Sequence, residues 1–129
     1  MRQLARVFKA LSDETRLRIL NLLIERECCV CEVMQGLEIS QTRASRNLSM
    51  LYDAGFLKMR KEGLWSLYSL DKEEMPGYLK KLVEAIELAL ADNNVASQDR
   101  DRLKSASRTG SVCLQQATGA SCKTVKANR

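Results

Sequence analysis

The stretch from residue 29 to residue 70 constrains the fold more than any other part of this 129-residue chain. A short helical pattern over Cys29–Gln35 is followed by the tight connection Leu37–Ile39 and then by a second helical pattern. Serine is a preferred N-cap and glycine a frequent terminator, so the second helix is predicted to start at Ser40 and to stop at Gly55. Two helices joined by so few residues indicate a helix–turn–helix.

A pair of strands is predicted directly after this unit. Apolar and polar residues alternate over Phe56–Arg60 and Leu64–Leu70, as in half-buried strands. Lys61-Glu62-Gly63 between them is typical of a tight turn, so the two segments should form a hairpin. This order predicts a mainly α fold with a small β-hairpin, a winged helix–turn–helix.

Further helices flank the helix–turn–helix and the hairpin. The second begins at Ser12 or Asp13 and is apolar around most of its circumference, which is typical of a buried centre. The last helix is predicted to be capped by Asp71. The first and last helices carry apolar stripes, which are Leu4, Val7, Phe8 and Leu11 in the first and Leu79, Leu82, Val83, Ile86 and Leu90 in the last.

Composition divides the chain at residue 92. Residues 1–92 hold every aromatic side chain and are predicted to form a DNA-binding and dimerisation domain. Residues 93–129 are polar, and we expect a flexible basic tail that carries Cys113 and Cys122, with a short helix near Gln98–Lys104. The net charge of +5 lies entirely in this tail. The DNA-binding argument rests on the local excess of basic residues from Ser40 to Lys61.

The outward face of the Ser40 helix is rich in hydrogen-bonding side chains. Arg43 or Arg46 could contact guanine, and Gln41 could contact adenine. Wing-tip Arg60 and Lys61 could reach a phosphate backbone or the minor groove. The alternative is a solvated polar face without a function. The candidate set for double-stranded operator DNA is Ser40, Gln41, Thr42, Arg43, Ser45, Arg46, Asn47, Arg60 and Lys61.

Three cysteines lie within four residues, at Cys28, Cys29 and Cys31, in a chain with no histidine. The lack of histidine excludes histidine-dependent zinc sites and histidine catalysis, and we do not expect an enzyme. Thiolates prefer soft ions, although cysteine is also a common buried residue. In a helix, Cys28 and Cys31 would share a face, whereas Cys29 and Cys31 would converge only if the first turn were unwound.

Several motifs resemble the ArsR/SmtB family of metalloregulators. Leu11–Leu20 is similar to the family's "LadptRlrIL" opening, and Ser40–Leu48 to its "SQptvSrHL" recognition helix, with Asn47 in place of the usual histidine. Tyr52–Leu70 resembles its wing. The stretch around Cys29 and Cys31 resembles the "ELCVCDLC" box of arsenic-responsive members. Met34 stands at the third cysteine of that box, and Cys28 replaces a leucine.

The resemblance implies a homodimeric repressor that leaves an inverted-repeat operator when an inducer binds. As(III) or Sb(III) is the implied inducer, bound to Cys29, Cys31 and a third thiolate. Cys28, Cys113 and Cys122 remain open as that third ligand. The dimer surface would combine the first helix, through Leu4 and Phe8, with the last.

Two other functions remain open. One is a repressor that responds to thiol oxidation, and the other is a chaperone that only holds soft metal. The N-terminus shows no signal-peptide pattern, so we expect the chain in the cytoplasm with reduced thiols.

Overall fold

In a computed structural model, residues 1–108 are described, and they form a winged helix–turn–helix. The elements follow in the order α1 Arg2–Leu11, α2 Glu14–Glu25, β1 Cys28–Cys29, α3 Val30–Leu37, α4 Gln41–Asp53, β2 Leu57–Glu62, β3 Trp65–Leu70, α5 Gly77–Leu90 and α6 Asn94–Ser105. The predicted fold class is confirmed. No helix within these 108 residues is long and apolar enough to cross a membrane.

Helix α2 is the centre of the domain, as its wide apolar circumference predicts. Ile19, Leu20 and Leu22 are fully buried in the main core. Asp13 caps the helix, since its Oδ2 accepts a hydrogen bond from the Arg16 amide at 3.1 Å. The predicted cap of the last helix is wrong. Asp71 opens a separate turn, and α5 begins only after Pro76.

The connection between α3 and α4 is as short as predicted. Glu38 ends α3 in the left-handed conformation, with φ +58°, although it is not a glycine. Ser40 then caps α4, because its Oγ accepts from the Arg43 amide at 3.2 Å. The chain therefore reverses over Glu38–Ser40 and packs α3 against α4.

The predicted hairpin is present, and a third strand that the sequence did not predict joins it. Strands β2 and β3 pair antiparallel, with Met59 opposite Tyr68. Strand β1 pairs with the other edge of β3 and sets Cys28 opposite Tyr68 and Cys29 opposite Leu67. Two residues are too few for a periodic pattern, so the sequence predicts a helix start at Cys29 instead. The helix starts at Val30.

The described part of the predicted tail is folded, so the domain boundary at residue 92 is corrected. The short helix expected near Gln98–Lys104 extends over α6 and packs on α2 and α3. Fully buried Asp99 accepts hydrogen bonds from Arg18 and Arg102. Composition did not predict the packing of this helix, because ion pairs and only two buried apolar side chains, Ala96 and Leu103, hold it in place. Cys113 and Cys122 lie outside the described residues.

Candidate functional site

Cys29 stands at the point where β1 ends and α3 begins. It is the N-cap of α3, and its sulfur accepts a hydrogen bond from the Glu32 amide. The Glu32 carboxylate in turn accepts from the Cys29 amide at 2.9 Å, which completes a capping box. The capping box therefore fixes both the sulfur and the backbone of Cys29 at the first turn of α3.

Cys31 shares a small buried cluster with Cys29. The two cysteines pack with Leu67, and half-buried Met34 and Trp65 border the cluster. The extended conformation at Cys29 unwinds the chain just before the helix. An unwound first turn is the condition that the sequence analysis sets for the sulfurs of Cys29 and Cys31 to converge. We call Cys29 and Cys31, with Leu67, Met34 and Trp65, the thiol cluster.

Cys28 lies on the other side of β1. Successive side chains of a strand point to opposite faces, and Cys28 is buried in the main core instead of the thiol cluster. The predicted shared face of Cys28 and Cys31 is therefore wrong, because Cys28 is in a strand. Burial raises the pKa of the Cys28 thiol to about 12, and the Glu32 carboxylate adds to the rise. Among residues 1–108, no three Cys, Asp or Glu side chains are arranged to hold a metal ion.

Glu32 connects the thiol cluster to the end of α6. Its carboxylate forms ion pairs with Arg26 at 2.7 Å and with Arg108 at 3.0 Å. Burial alone would raise the pKa of Glu32. The Cys29 amide and the Arg26 guanidinium outweigh that effect and hold its pKa below the usual value. The carboxylate is therefore charged and fixes the start of α3.

The second candidate surface is the exposed face of α4. The groove between this face and the start of α2 is lined by Asp13, Thr15, Arg16, Ser40, Thr42, Arg43, Arg46, Asn47 and Met50. Thr42 and Arg46 are exposed, and no hydrogen bond or ion pair engages Arg46 within the described residues. The Arg43 guanidinium donates to Thr15 Oγ1 at 2.7 Å, and Gln41 donates to Ser45 Oγ at 3.0 Å. An unengaged guanidinium beside a helix N-terminus suits phosphate or base contacts.

Asn47 is not part of the outward face, which corrects the sequence prediction. Its side chain is buried and donates to the Arg43 carbonyl at 2.9 Å. Its Oδ1 accepts from Arg16, whose guanidinium also donates to the Ala10 carbonyl at 2.6 Å and the Lys9 carbonyl at 3.2 Å. Asn47 therefore ties α4 to the end of α1 through Arg16.

Arg60, on strand β2 of the wing, forms ion pairs with acidic side chains. Arg60 pairs with both carboxylate oxygens of Glu27, at 2.8 Å each, and with Glu62 at 3.1 Å. The neighbouring Lys61 donates to Ser66 Oγ at 2.9 Å. Contact of Arg60 with DNA would require exchange of these partners. The sequence predicts the position of Arg60 on the wing but not its pairing, because Glu27 is 33 residues away.

The predicted dimer surface is exposed in part, and its role in dimerisation stays a prediction. Phe8 is 50% exposed and Leu4 38%, and both lie on α1. Leu82, Val83 and Ile86 are half-buried at the edge of the core. Leu79 is buried inside the main core, so it does not belong to this surface.

The sequence analysis did not predict the roles of Arg16 and Glu32. Each acts through a partner that is distant in sequence or through a backbone group, and single-sequence patterns do not report such contacts. One signal was available for Glu32, since an acid three residues after an N-cap residue is the pattern of a capping box.

Comparison with known proteins identifies the family of this chain. Residues 13–59 match the family model "Bacterial regulatory protein, arsR family". The chain is 48% identical over 81 residues to a CadC homolog, a cadmium resistance transcriptional regulatory protein of Staphylococcus aureus. The match covers 62% of this chain and 64% of the CadC homolog, so the chain spans less than two thirds of that relative.

A second relative is matched over more of its length. The arsenic resistance transcriptional regulator ArsR2 of Pseudomonas putida is 39% identical over 100 residues, which cover 74% of this chain and 86% of ArsR2. These names are those of transcriptional regulators, in agreement with the expectation that the chain is not an enzyme.

A solved structure also matches the fold. The homodimeric winged helix–turn–helix DNA-binding domain of a possible ArsR-family transcriptional regulator from Mycobacterium bovis superposes with a TM-score of 0.59 at 29% identity. The match covers 71% of this chain and 82% of that domain. Together with the identity to ArsR2 over most of its length, the helix–turn–helix and its wing show that this chain belongs to the arsR family of bacterial regulatory proteins.

Proposed function

We propose that the chain is a cytoplasmic, homodimeric transcriptional repressor that leaves its operator when trivalent arsenic or antimony binds cysteine thiolates. The observation that carries the proposal is the position of the thiol cluster. Cys29 caps α3 and is packed with Cys31, and α3 packs directly against α4. An ion bound to Cys29 would compete with the hydrogen bonds that start α3.

The exposed face of α4 supports the DNA-binding part of the proposal. Thr42 and Arg46 are exposed beside the capped start of α4, and Lys58 lies on the exposed wing. Ser40 lines the same groove and could contact a phosphate. Two copies of α4 in a symmetric dimer would contact half-sites about one helical turn, or a multiple, apart.

The exposed apolar face of α1 supports the homodimer. Exposed Phe8 and Leu4 leave apolar surface in water that a second copy could cover. The similar domain from Mycobacterium bovis is homodimeric.

The test is operator release measured by fluorescence anisotropy. A duplex selected in vitro from random DNA by the purified protein serves as the probe. Sodium arsenite is added without oxygen, after removal of thiol reductant. We expect release from the wild type and none from the Cys29→Ser, Cys31→Ser double variant, which should still bind the duplex.

The alternatives predict different results. Release by oxidant and not by arsenite would favour the repressor that responds to thiol oxidation. Release by cadmium alone would mean that the inducer is cadmium, and the chain would still be assigned as a repressor. Failure to select any duplex would favour the soft-metal chaperone.

A further inference from the structure

Helix α1 carries a row of basic side chains along one face. Arg2, Arg6 and Lys9 follow one another at spacings of four and three residues, so they share a face of the helix. All three are exposed, and the sequence of α1 contains no acidic residue. We call these three residues the basic row. Like charges at this spacing repel one another, and an anion bound to the face would relieve that repulsion.

The basic row has no partner in the part of the chain that the structure describes. The side chains of Arg2, Arg6 and Lys9 form no hydrogen bond or ion pair within residues 1–108. Arg46 is the one other arginine in this range of which the same is true, because every remaining arginine donates to a carbonyl, a carboxylate or another side chain. Within these residues, the unpaired arginines therefore lie on α1 and on the exposed face of α4.

A groove places part of the basic row beside α4. We call it the α1–α4 groove, and it is lined by Arg6, Lys9, Ala10, Arg16, Met50, Asp53 and Ala54. Arg16 and Met50 also line the groove at the exposed face of α4. The two grooves therefore adjoin, and a basic surface extends from Arg46 across Arg16 to Arg6.

Hydrogen bonds fix α1 against α4 at both ends of α1. At the C-terminal end, Arg16 donates to the Ala10 carbonyl at 2.6 Å and to Asn47 Oδ1 at 2.9 Å. At the N-terminal end, Gln3 Nε2 donates to the Ala54 carbonyl at 3.5 Å. The position of the basic row relative to the exposed face of α4 is therefore set by the fold.

The α1–α4 groove is close enough to Arg46 for both to meet one duplex. Arg46 and Asp53, which lines the groove, are seven residues apart on α4, or about 10 Å along the helix axis. Successive phosphates of one DNA strand rise about 3.4 Å along the duplex axis. The separation therefore corresponds to about three nucleotides.

The basic row also stays clear of the proposed dimer surface. Leu4 and Phe8 each lie two positions from Arg6, which is about 160° around the helix. A second copy that covers Leu4 and Phe8 would leave the basic row on the other side of α1.

We propose that the basic row binds the phosphate backbone of the operator duplex beside the bases that α4 reads, with Arg6 and Lys9 as the contacting residues. This inference rests on the proposed function and adds a second helix to its DNA-binding surface. Phosphate contacts carry no base information, so the row should raise the affinity for every duplex by a similar factor and fix the register of α4. Asp53 is the one acid that lines the α1–α4 groove, and it would oppose this binding.

The test compares the double variant Arg6→Ala, Lys9→Ala with the matched control Lys72→Ala, Lys80→Ala. Each removes two exposed positive charges that have no partner within residues 1–108. On the duplex selected in vitro, the first variant should raise Kd by about tenfold to thirtyfold at about 0.15 M salt and lower the salt slope by about two. It should keep the ratio of affinities for selected and scrambled duplexes. The control should stay within about twofold of the wild type.

Two further measurements locate the contact. Duplexes with single phosphates replaced by neutral methylphosphonates should bind the wild type more weakly at positions beside the bases that α4 protects. At those positions the Arg6→Ala, Lys9→Ala variant should bind the modified and unmodified duplexes equally. Asp53→Asn removes the acid from the groove and should lower Kd by about twofold to fivefold.

The other outcomes separate this inference from the proposed function. Wild-type affinity and salt slope in Arg6→Ala, Lys9→Ala, together with weakened binding in Arg46→Ala, overturn the inference and leave the proposed function intact. An equal loss in the lysine control overturns it too, as does sedimentation that shows the first variant as a monomer. Operator binding that depends on the basic row but is not released by arsenite overturns the assigned inducer alone. If the wild type binds no duplex, both proposals fail.

Discussion

Glu27 and Arg60 form a two-point ion pair that joins the residue before β1 to the wing, with both N–O distances at 2.8 Å. The hydrogen bonds from Arg60 lower the pKa of Glu27, so the carboxylate is charged at neutral pH. The pair therefore connects Glu27, which directly precedes strand β1, to Arg60, a candidate DNA contact on the wing.

Glu27→Gln should strengthen operator binding by about threefold to tenfold, because it removes a negative charge that competes with phosphate for Arg60. Anisotropy titrations at several salt concentrations measure the affinity and its salt slope, which should steepen by about one. In an Arg60→Ala background, the operator affinity should be the same with glutamate and with glutamine at position 27. An unchanged affinity in Glu27→Gln would mean that the wing stays off the DNA.

Arg46→Ala should weaken operator binding by about 1–3 kcal/mol, since its exposed guanidinium is available to a base or a phosphate. A salt slope reduced by about one would identify a phosphate contact, and an altered sequence preference would identify a base contact. Lys80→Ala, which removes a positive charge from exposed α5, is the control and should have little effect. Equal losses in both variants would indicate only a general effect of charge.

Glu32→Gln should lower the free energy of unfolding by about 2 kcal/mol at pH 7, because it weakens the capping box and two ion pairs. The pKa of Glu32 in the folded state lies below its usual value of 4.5. Its charged form therefore stabilises the fold above that value, and the stabilisation is lost as pH falls through the folded pKa. Urea unfolding from pH 7 to pH 3 should show the two proteins converging in acid.

The control for this measurement is Glu84→Gln, which changes an exposed glutamate on α5. It should leave the free energy of unfolding within about 0.5 kcal/mol of the wild type. A constant difference between Glu32→Gln and the wild type at every pH would contradict the assigned charge state.

Asp99→Asn should destabilise α6 by about 3 kcal/mol, because it leaves Arg18 and Arg102 without their buried partner. Limited proteolysis should then cut within α6 before the rest of the domain. Asp101→Asn changes an exposed acid two residues further along the same helix and should not alter the cleavage. Equal resistance of Asp99→Asn and the wild type would show that the ion pairs do not hold the helix.

The sequence predicts the elements whose signal is local. The caps at Asp13 and Ser40 and the paired strands all follow from residues within a few positions of one another. Asn47 shows where such reasoning stops. Its spacing on α4 predicts an exposed side chain, yet the side chain is buried and accepts a hydrogen bond from Arg16 of α2.

At the thiol site, too, only the part with a local signal could be predicted from the sequence. The cysteines and their soft-ion chemistry can be read from the sequence, whereas the separation of Cys28 from Cys29 depends on a two-residue strand that exists only because β3 lies beside it. Helix α6 is held by a long-range ion pair and by hydrogen bonds to other elements, so the sequence predicts a short helix near Gln98–Lys104 but not its packing on the domain.

The left-handed Glu38 has a consequence for how the two halves of the helix–turn–helix move. The left-handed conformation is unfavourable for a residue other than glycine, so it persists because the packing of α3 against α4 holds the three-residue connection in place. Under the proposed function, a tilt of α3 caused by an ion at its first turn would reach α4 through this short connection and the α3–α4 packing. Under the proposed function, the packing that positions α4 before induction would then turn α4 away from the DNA groove afterwards.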